Sequence, residues 1–286
     1  MKKTYTVEPA PMAGYTDLAF RKVLRKCGAK VTWTEMISVT ALFHGSEKTK
    51  KMLESDGKTV VQLFGHNPTH FEAVIKSGIL DKFVEININM GCPARKIISS
   101  GDGCALMKNP ELAREIIKAC GRPVSVKIRL GYSPSERRGG SEADGVGVEF
   151  AKMCEAAGAS RIIVHGRYGT QGYSGKADWN AIKEIVHAVK IPVVANGDIR
   201  DAKHAAECIR QTGATGVMIG RALIGSPWSI SCKKIDYRKI IKYHIEHADN
   251  ILELRKHLIA YARDKEIKKR LAVCKSFEEA KEVLDL

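Results

Sequence analysis

V-E-I-N-I-N-M-G-C-P, residues 84–93, decides how the rest of the chain is read. Apolar Val84, Ile86 and Ile88 alternate with polar Glu85, Asn87 and Asn89, and the run ends in Gly91-Cys92-Pro93. Successive side chains of a strand point to opposite faces, so this strand has one apolar and one polar face. A barrel strand accounts for both: the apolar set meets surrounding helices and the polar set faces the barrel axis. Polar groups inside a barrel need partners, and a ligand can supply them. In an α/β barrel, active residues sit at the C-terminal ends of strands. Cys92 stands at such an end, where Gly91 permits an unusual turn and Pro93 fixes the chain. A functional cysteine is therefore expected there rather than a merely buried one.

The flanking sequence repeats the same unit. Strand candidates are Thr4–Pro9, Val31–Thr34, Thr59–Phe64, Val84–Asn89, Val124–Leu130, Arg161–His165, Pro192–Asn196 and Gly216–Gly220. Helical patterns such as Glu111–Cys120, Val148–Ala157, Trp179–Val189 and Ala202–Thr212 separate most of them. Eight strand–helix repeats predict an α/β fold, a (β/α)8 TIM barrel, over residues 1–234. A doubly wound sheet fits less well, because no G-x-G-x-x-G follows the first strand. From about Lys233 strand candidates stop, and residues 235–286 read as a small C-terminal helical domain. S-F-E-E from Ser276 predicts a capping box for its last helix.

With 286 residues, 44% of them hydrophobic, the chain can bury a full core and is not of the disordered class. No stretch approaches the roughly 20 apolar residues of a membrane span, and the start M-K-K-T does not read as a signal peptide. Its eight cysteines form no C-x-x-C pair, which argues against a zinc site; a reduced, cytoplasmic protein without a metal is expected. The net charge of +15 points to a polyanionic partner, a merely soluble basic protein being the alternative. Between Arg255 and Lys275, eight Lys/Arg stand against two acids, a local balance of +6. That surface is either a contact for the polyanion or a solvated helix face.

The fifth strand also alternates, with Val124, Val126 and Ile128 against Ser125, Lys127 and Arg129. A lysine inside a barrel is costly unless it meets an anion. Reduced flavin, negatively charged near N1, is one candidate; a salt bridge with Glu85 is the other. His165 closes the sixth strand, ahead of Gly166-Arg167. Asn196-Gly197-Asp198 and Gly220-Arg221 then close the seventh and eighth. Loops after those two strands, with a short helix N-terminus, form the usual barrel phosphate site.

Together these motifs resemble the tRNA-dihydrouridine synthase family, over nearly the whole chain. The matching pieces are A-P-M-A-G-Y-T-D (10–17), T-E-M-I-S (34–38), V-Q-L-F-G (61–65), I-N-M-G-C-P-A (88–94) and S-G-D-G-C-A-L-M (100–107). They continue with V-K-I-R-L-G (126–131), Y-S-G-K-A-D-W (173–179), N-G-D-I (196–199), I-G-R (219–221) and, in the tail, R-K-H-L (255–258). I-N-M-G-C-P-A is the most specific.

The resemblance implies FMN on the barrel, reduced by NADPH or NADH, and tRNA as substrate, with no obligate protein partner and no membrane. By position, Pro11, Met12 and Ala13 would lie along the flavin, and Gln62, Lys127 and His165 would bond it. Asn196, Gly197, Asp198, Gly220 and Arg221 would hold its phosphate end. Asn89 and Arg167 would contact uracil or its surroundings. Cys92 would give the proton to uracil C5 after hydride reaches C6. A free thiol, with an ordinary pKa of about 8.5, is protonated at neutral pH and suits that task.

The chain departs from the family pattern in three places. Gly169 stands where a second arginine is expected, the stretch 132–147 is long and carries Arg137-Arg138-Gly139-Gly140, and the helical tail is short. Two other readings compete: an FMN barrel that reduces a free pyrimidine, as dihydroorotate dehydrogenase relatives do, and a non-catalytic RNA-binding barrel. The basic tail argues against the first, and Cys92, Lys127 and His165 argue against the second.

Overall fold

A computed structural model describes residues 5–136 and 146–286. Its strands are β1 (Thr6–Pro9), β2 (Thr32–Ser38), β3 (Thr59–Phe64), β4 (Glu85–Met90), β5 (Val124–Ile128), β6 (Ala159–His165), β7 (Val193–Asn196) and β8 (Gly216–Ile219). All pair in parallel, in the order β1-β8-β7-β6-β5-β4-β3-β2. β1 and β2 stand at the ends of that order. The Trp33 indole on β2 donates to the Glu8 carboxylate on β1 at 3.0 Å, which draws the two ends together. The result is the (β/α)8 barrel that the alternation predicts.

The crossovers are helical because their starts are capped. Asp17, Asn67, Asn109, Asp178 and Asp201 each accept a bond from a first-turn N–H, and Pro68 and Pro110 open two of these helices where the N–H is not needed. The outward faces of the strands, among them Leu63, Ile86, Ile88, Val126, Ile128 and Val164, pack against those helices in the main core. A smaller cluster of Ala10, Trp33, Val60, Ile163, Val194 and Met218 fills part of the barrel interior.

Several boundaries differ from expectation for physical reasons. β3 runs over Thr59–Phe64 as the alternation predicts. β2 continues four residues past Thr34, because a register shift between Trp33 and Met36 breaks the alternation without ending the strand. β4 begins at Glu85, so Val84 lies before it and is 56% exposed rather than turned to the helices.

Beyond the barrel, helices Tyr237–His247, Ile251–Tyr261, Lys265–Val273 and Phe277–Leu284 surround a core of their own, centred on Ile245, Leu254, Leu258 and Leu271. Phe20, on the first barrel helix, packs against His257 with ring centres 4.4 Å apart and against His244 at 5.8 Å, which ties the tail to the barrel. Half of the expected capping box forms. Ser276 accepts from the Glu279 N–H at 3.1 Å, but the Glu279 carboxylate accepts from the Lys275 N–H instead of that of Ser276. Among the described residues no helix is long and apolar enough to cross a membrane. Arg137-Arg138-Gly139-Gly140, singled out in the 132–147 stretch, lies outside the described residues.

Candidate active site at the barrel mouth

Polar side chains climb the barrel interior in a connected ladder. At its foot Glu8 pairs with Arg161 at 2.7 Å, and Arg161 reaches Glu85 at 3.0 Å. Glu85 accepts from Ser125, which accepts from Asn87 at 2.7 Å; Asn87 accepts from Gln62 at 2.8 Å, and Gln62 from Asn89 at 2.9 Å. Every rung satisfies a group that would otherwise be stranded in a low-dielectric interior. Arg161 and Ser125 both engage Glu85 Oε1, and the salt bridge weighed between Glu85 and Lys127 does not form; Lys127 meets Asn196 instead.

At the top, Asn89 shapes the turn that carries Cys92. Its Oδ1 accepts from the N–H groups of Gly91 at 3.1 Å and Cys92 at 2.9 Å. Arg129 braces the same turn from β5: Nε donates to the Gly91 carbonyl at 2.9 Å, and Nη1 to the carbonyls of Tyr168 and Gly172 at 2.8 and 3.0 Å. From the other side the 100–104 loop presses on Cys92. The Cys104 N–H donates to the Cys92 carbonyl at 3.0 Å. A Cβ at Gly103, where φ is +59°, would sit 2.8 Å from that carbonyl oxygen. Cys92 is half-buried, whereas Cys104 is fully buried.

Across the mouth, Lys127 Nζ donates to Asn196 Oδ1 at 3.1 Å, and Asn196 Nδ2 donates to the Met218 carbonyl at 2.8 Å. Burial, reinforced by Arg129, lowers the Lys127 pKa to about 7. His165 is pushed down to about 2, by burial first and then by Lys127, Arg129, Arg167 and Arg221. It is therefore neutral, and its Nε2 lies 3.3 Å from Arg167 Nη1, a donor, which leaves the ring proton on Nδ1. Arg167 itself is 2% exposed and bonds the carbonyls of Ser174 and Gly175 and the Asp198 carboxylate at 3.1, 2.7 and 2.8 Å. Those bonds make it a clamp on the 174–175 loop.

The two glycine loops meet beside this cluster. Gly197 has φ +120°, and a Cβ there would come within 2.6 Å of Ala177 and 2.9 Å of the His165 ring. A Cβ at Gly220 would touch Ala10 and Met12, so the chain around Met12 lies against the end of β8. Asp198, in a left-handed conformation, accepts from the Ala177 N–H at 2.7 Å and holds Arg221 at 3.4 Å. Burial works against its charge, yet that N–H and the two arginines keep its pKa below the usual value.

The balance of charge says what this mouth can hold. Lys127, Arg129, Arg167 and Arg221 converge on the β5–β8 side, where Asp198 pairs with Arg167 and Arg221 and leaves Lys127 and Arg129 to neutral partners. Two glycine loops, one of them closed to a Cβ at Gly197, with Arg221 exposed beside them, suit a phosphate-bearing ligand. Among the described residues no group of three or more His, Cys, Asp or Glu is placed to hold a metal. A separate cavity of about 360 Å³ sits among the tail helices between Trp228, Tyr261 and Leu284, and no expected site residue lines it.

Three features escaped the sequence reading. Arg129 was legible as an inward polar residue, but nothing in the strand says that it grips Gly91. Tyr173, 59% exposed, lies over the Arg221 guanidinium at 4.3 Å; its stretch was legible as a motif without a role. Gly169 replaces the expected arginine because no side chain fits: a Cβ there would lie 2.6 Å from Cys104 Sγ and 3.0 Å from the Tyr132 carbonyl oxygen.

Comparison with known proteins agrees with this geometry. The chain is 40% identical over 231 residues to a probable tRNA-dihydrouridine synthase of Rhodobacter capsulatus, covering 78% of this chain and 68% of that one. It is 38% identical over 226 residues to tRNA-dihydrouridine synthase B of Proteus vulgaris, covering 77% and 68%. A probable tRNA-dihydrouridine synthase 1 of Synechocystis is 31% identical over 310 residues, covering 96% and 84%. The family model described as dihydrouridine synthase matches residues 8–283, and the chain belongs to that family.

Proposed function

We propose that this protein is an enzyme that binds FMN in the barrel mouth and reduces uridine in tRNA to 5,6-dihydrouridine in the cytoplasm, drawing on NADPH or NADH. The observation that carries this reading is the pairing of a half-buried Cys92 with a cationic, glycine-lined mouth on one barrel rim. The residues fit the flavin. Gly197, Gly220 and Arg221 would hold its phosphate, Lys127 would face its electron-rich edge, and Pro11, Met12 and Ala13 would flank it. His165, being neutral, would bond it without adding charge. Gln62 lies lower on the ladder and would reach it only as an amide already shared with Asn87 and Asn89.

Bound flavin would supply the hydride for uracil C6. The protein's own part is to hold a proton at Cys92 Sγ for C5, in a turn fixed by Asn89, Arg129 and the 100–104 loop. Asn89 would meet uracil mainly by shaping that turn, and Arg167 by holding the 174–175 loop at its side. Helices from residue 235 to 286 would form the tRNA-binding domain, their +6 segment meeting phosphates and offsetting the few kcal/mol needed to unstack the target base.

The test is direct. Purified protein given FMN should turn yellow, bleach with NADPH, and convert an unmodified tRNA transcript into one that yields dihydrouridine on nucleoside mass spectrometry. A protein that takes up no flavin, or a bleached flavoprotein that leaves every uridine intact, would overturn the proposal.

A further inference from the structure

The rim that carries Cys92 also carries an exposed aromatic stack. Phe43, at the end of the short helix after β2, is 43% exposed. Its ring lies face to face on His70, centres 4.2 Å apart and planes 18° from parallel, while His44 meets Phe43 edge-on at 5.1 Å. His70 belongs to the helix that follows β3. Its Nδ1 lies 3.1 Å from Thr40 Oγ1 and its Nε2 lies 3.3 Å from Asn67 Nδ2, so both ring nitrogens are tied down. Burial, then His44 and His66, lowers the His70 pKa, which favours the neutral, flat ring that Phe43 stacks on.

The segment that leads into the stack also reaches the loop beside Cys92. His66, four residues before His70, bonds Asp102 at 2.7 Å, and the next residue, Gly103, presses on Cys92. The segment after Phe43 is basic: residues 47–51, E-K-T-K-K, carry three lysines against one glutamate. An exposed aromatic ring held in place by its neighbours offers a flat face on which a base can stack. A half-exposed ring stacked on His70, in a stretch that runs on into lysines, fits an unpaired base with its phosphate better than it fits a protein core.

We propose that Phe43, supported by His70, is a stacking platform for an unpaired base of the same RNA whose uridine enters the barrel mouth. This rests on the tRNA reading above and adds a second nucleotide contact, on the β2–β3 side of the rim.

The experiment compares Phe43→Leu and Phe43→Trp with the unaltered protein, all loaded with FMN, for binding of an unmodified tRNA transcript at several salt concentrations. Melting temperature and flavin content serve as fold controls. Phe43→Leu keeps bulk and loses the ring, so it should weaken binding by about 5- to 100-fold at each salt, the range for one stacked base. The slope of log K against log salt should not change, because no phosphate contact is lost. Phe43→Trp should bind at least as tightly as the unaltered protein. Equal binding by Phe43→Leu, the outcome if the patch serves a protein partner, would overturn the platform, as would a Phe43→Trp variant as weak as Phe43→Leu. An unaltered protein that fails to bind tRNA would instead refute the functional reading itself, and the platform with it.

Discussion

Lys127 on β5 meets Asn196 on β7 across the barrel mouth at 3.1 Å, and that partner is a neutral amide where a carboxylate would be ordinary. The ladder below contributes: Glu85, an acid of the same interior, is bound by Arg161 and Ser125. An ammonium left with a neutral partner in a desolvated place is a site prepared for an anion.

Its titration gives the first prediction. The folded pKa of about 7 lies below the unfolded value of about 10.4, so between those pH values the unfolded chain holds the extra proton. The cost of burying this ammonium is fully present below about 7 and is relieved as pH rises towards 10. The anionic ring of reduced flavin beside Lys127 restores the charge, so binding reduced FMN at pH 8.5 without oxygen should take up roughly one proton. Calorimetry in two buffers of different ionisation enthalpy reads that uptake. It should vanish in Lys127→Met, which should also retain flavin poorly. Uptake that persists in the variant would show that another group takes the proton.

Buried histidines set the acid limit of the fold. His165 and His257 are pushed down to about 2 and about 3, by burial first, and His244 is lowered well below its ordinary value for the same reason. Each is neutral when folded, so the stability they allow is complete above about 6.5 and is lost as pH falls below it. Thermal unfolding should shift to lower temperature between pH 7.5 and 5. His257→Gln, at the seam with Phe20, should shift less over that interval. A melting temperature that is flat from 7.5 to 5 would contradict the assignment of these rings as neutral.

Arg129 is expected to position Cys92 without touching substrate. Arg129→Met frees three carbonyls, those of Gly91, Tyr168 and Gly172. Turnover on tRNA should fall by about 10- to 100-fold through misplacement of the thiol, with KM nearly unchanged. The kcat and KM split decides it: a loss confined to KM would mean that Arg129 serves binding.

The tail carries the electrostatic prediction. Lys268, Lys269 and Arg270 lie on the helix Lys265–Val273, with Lys269 held only by a 3.3 Å contact to Glu266. Changing all three to glutamate should weaken tRNA binding and flatten its salt dependence. Unchanged affinity at fixed salt would leave the segment a solvated face.

Much of this was legible in the sequence because backbone periodicity is local. β3 and the helix Ala202–Thr212 fall where alternation and capping residues put them. The polar-inward reading of β4 holds for Glu85, Asn87 and Asn89, and fails for Val84, which precedes the strand. Side-chain partners were not legible. The resemblance gives Asn89 and Arg167 as uracil contacts, but it does not say that the Asn89 amide oxygen also accepts from the Gly91 and Cys92 N–H groups or that the Arg167 guanidinium also donates to the Ser174 and Gly175 carbonyls. Which polar residue faces a ligand and which braces a loop depends on distances across strands, and those arise only when the barrel closes.

The central claim is that Cys92 delivers the proton to uracil, and separate half-reactions test it most directly. In Cys92→Ala the glycine loops and Lys127 are untouched, so flavin should remain bound and NADPH should reduce it as in the unaltered protein. Stopped-flow reoxidation of that reduced flavin by tRNA should slow by roughly 10²- to 10⁴-fold, the usual worth of a positioned acid. Cys104→Ala, its side chain fully buried, should reoxidise within a few-fold of the unaltered rate. Reoxidation of Cys92→Ala at the unaltered rate would contradict the account.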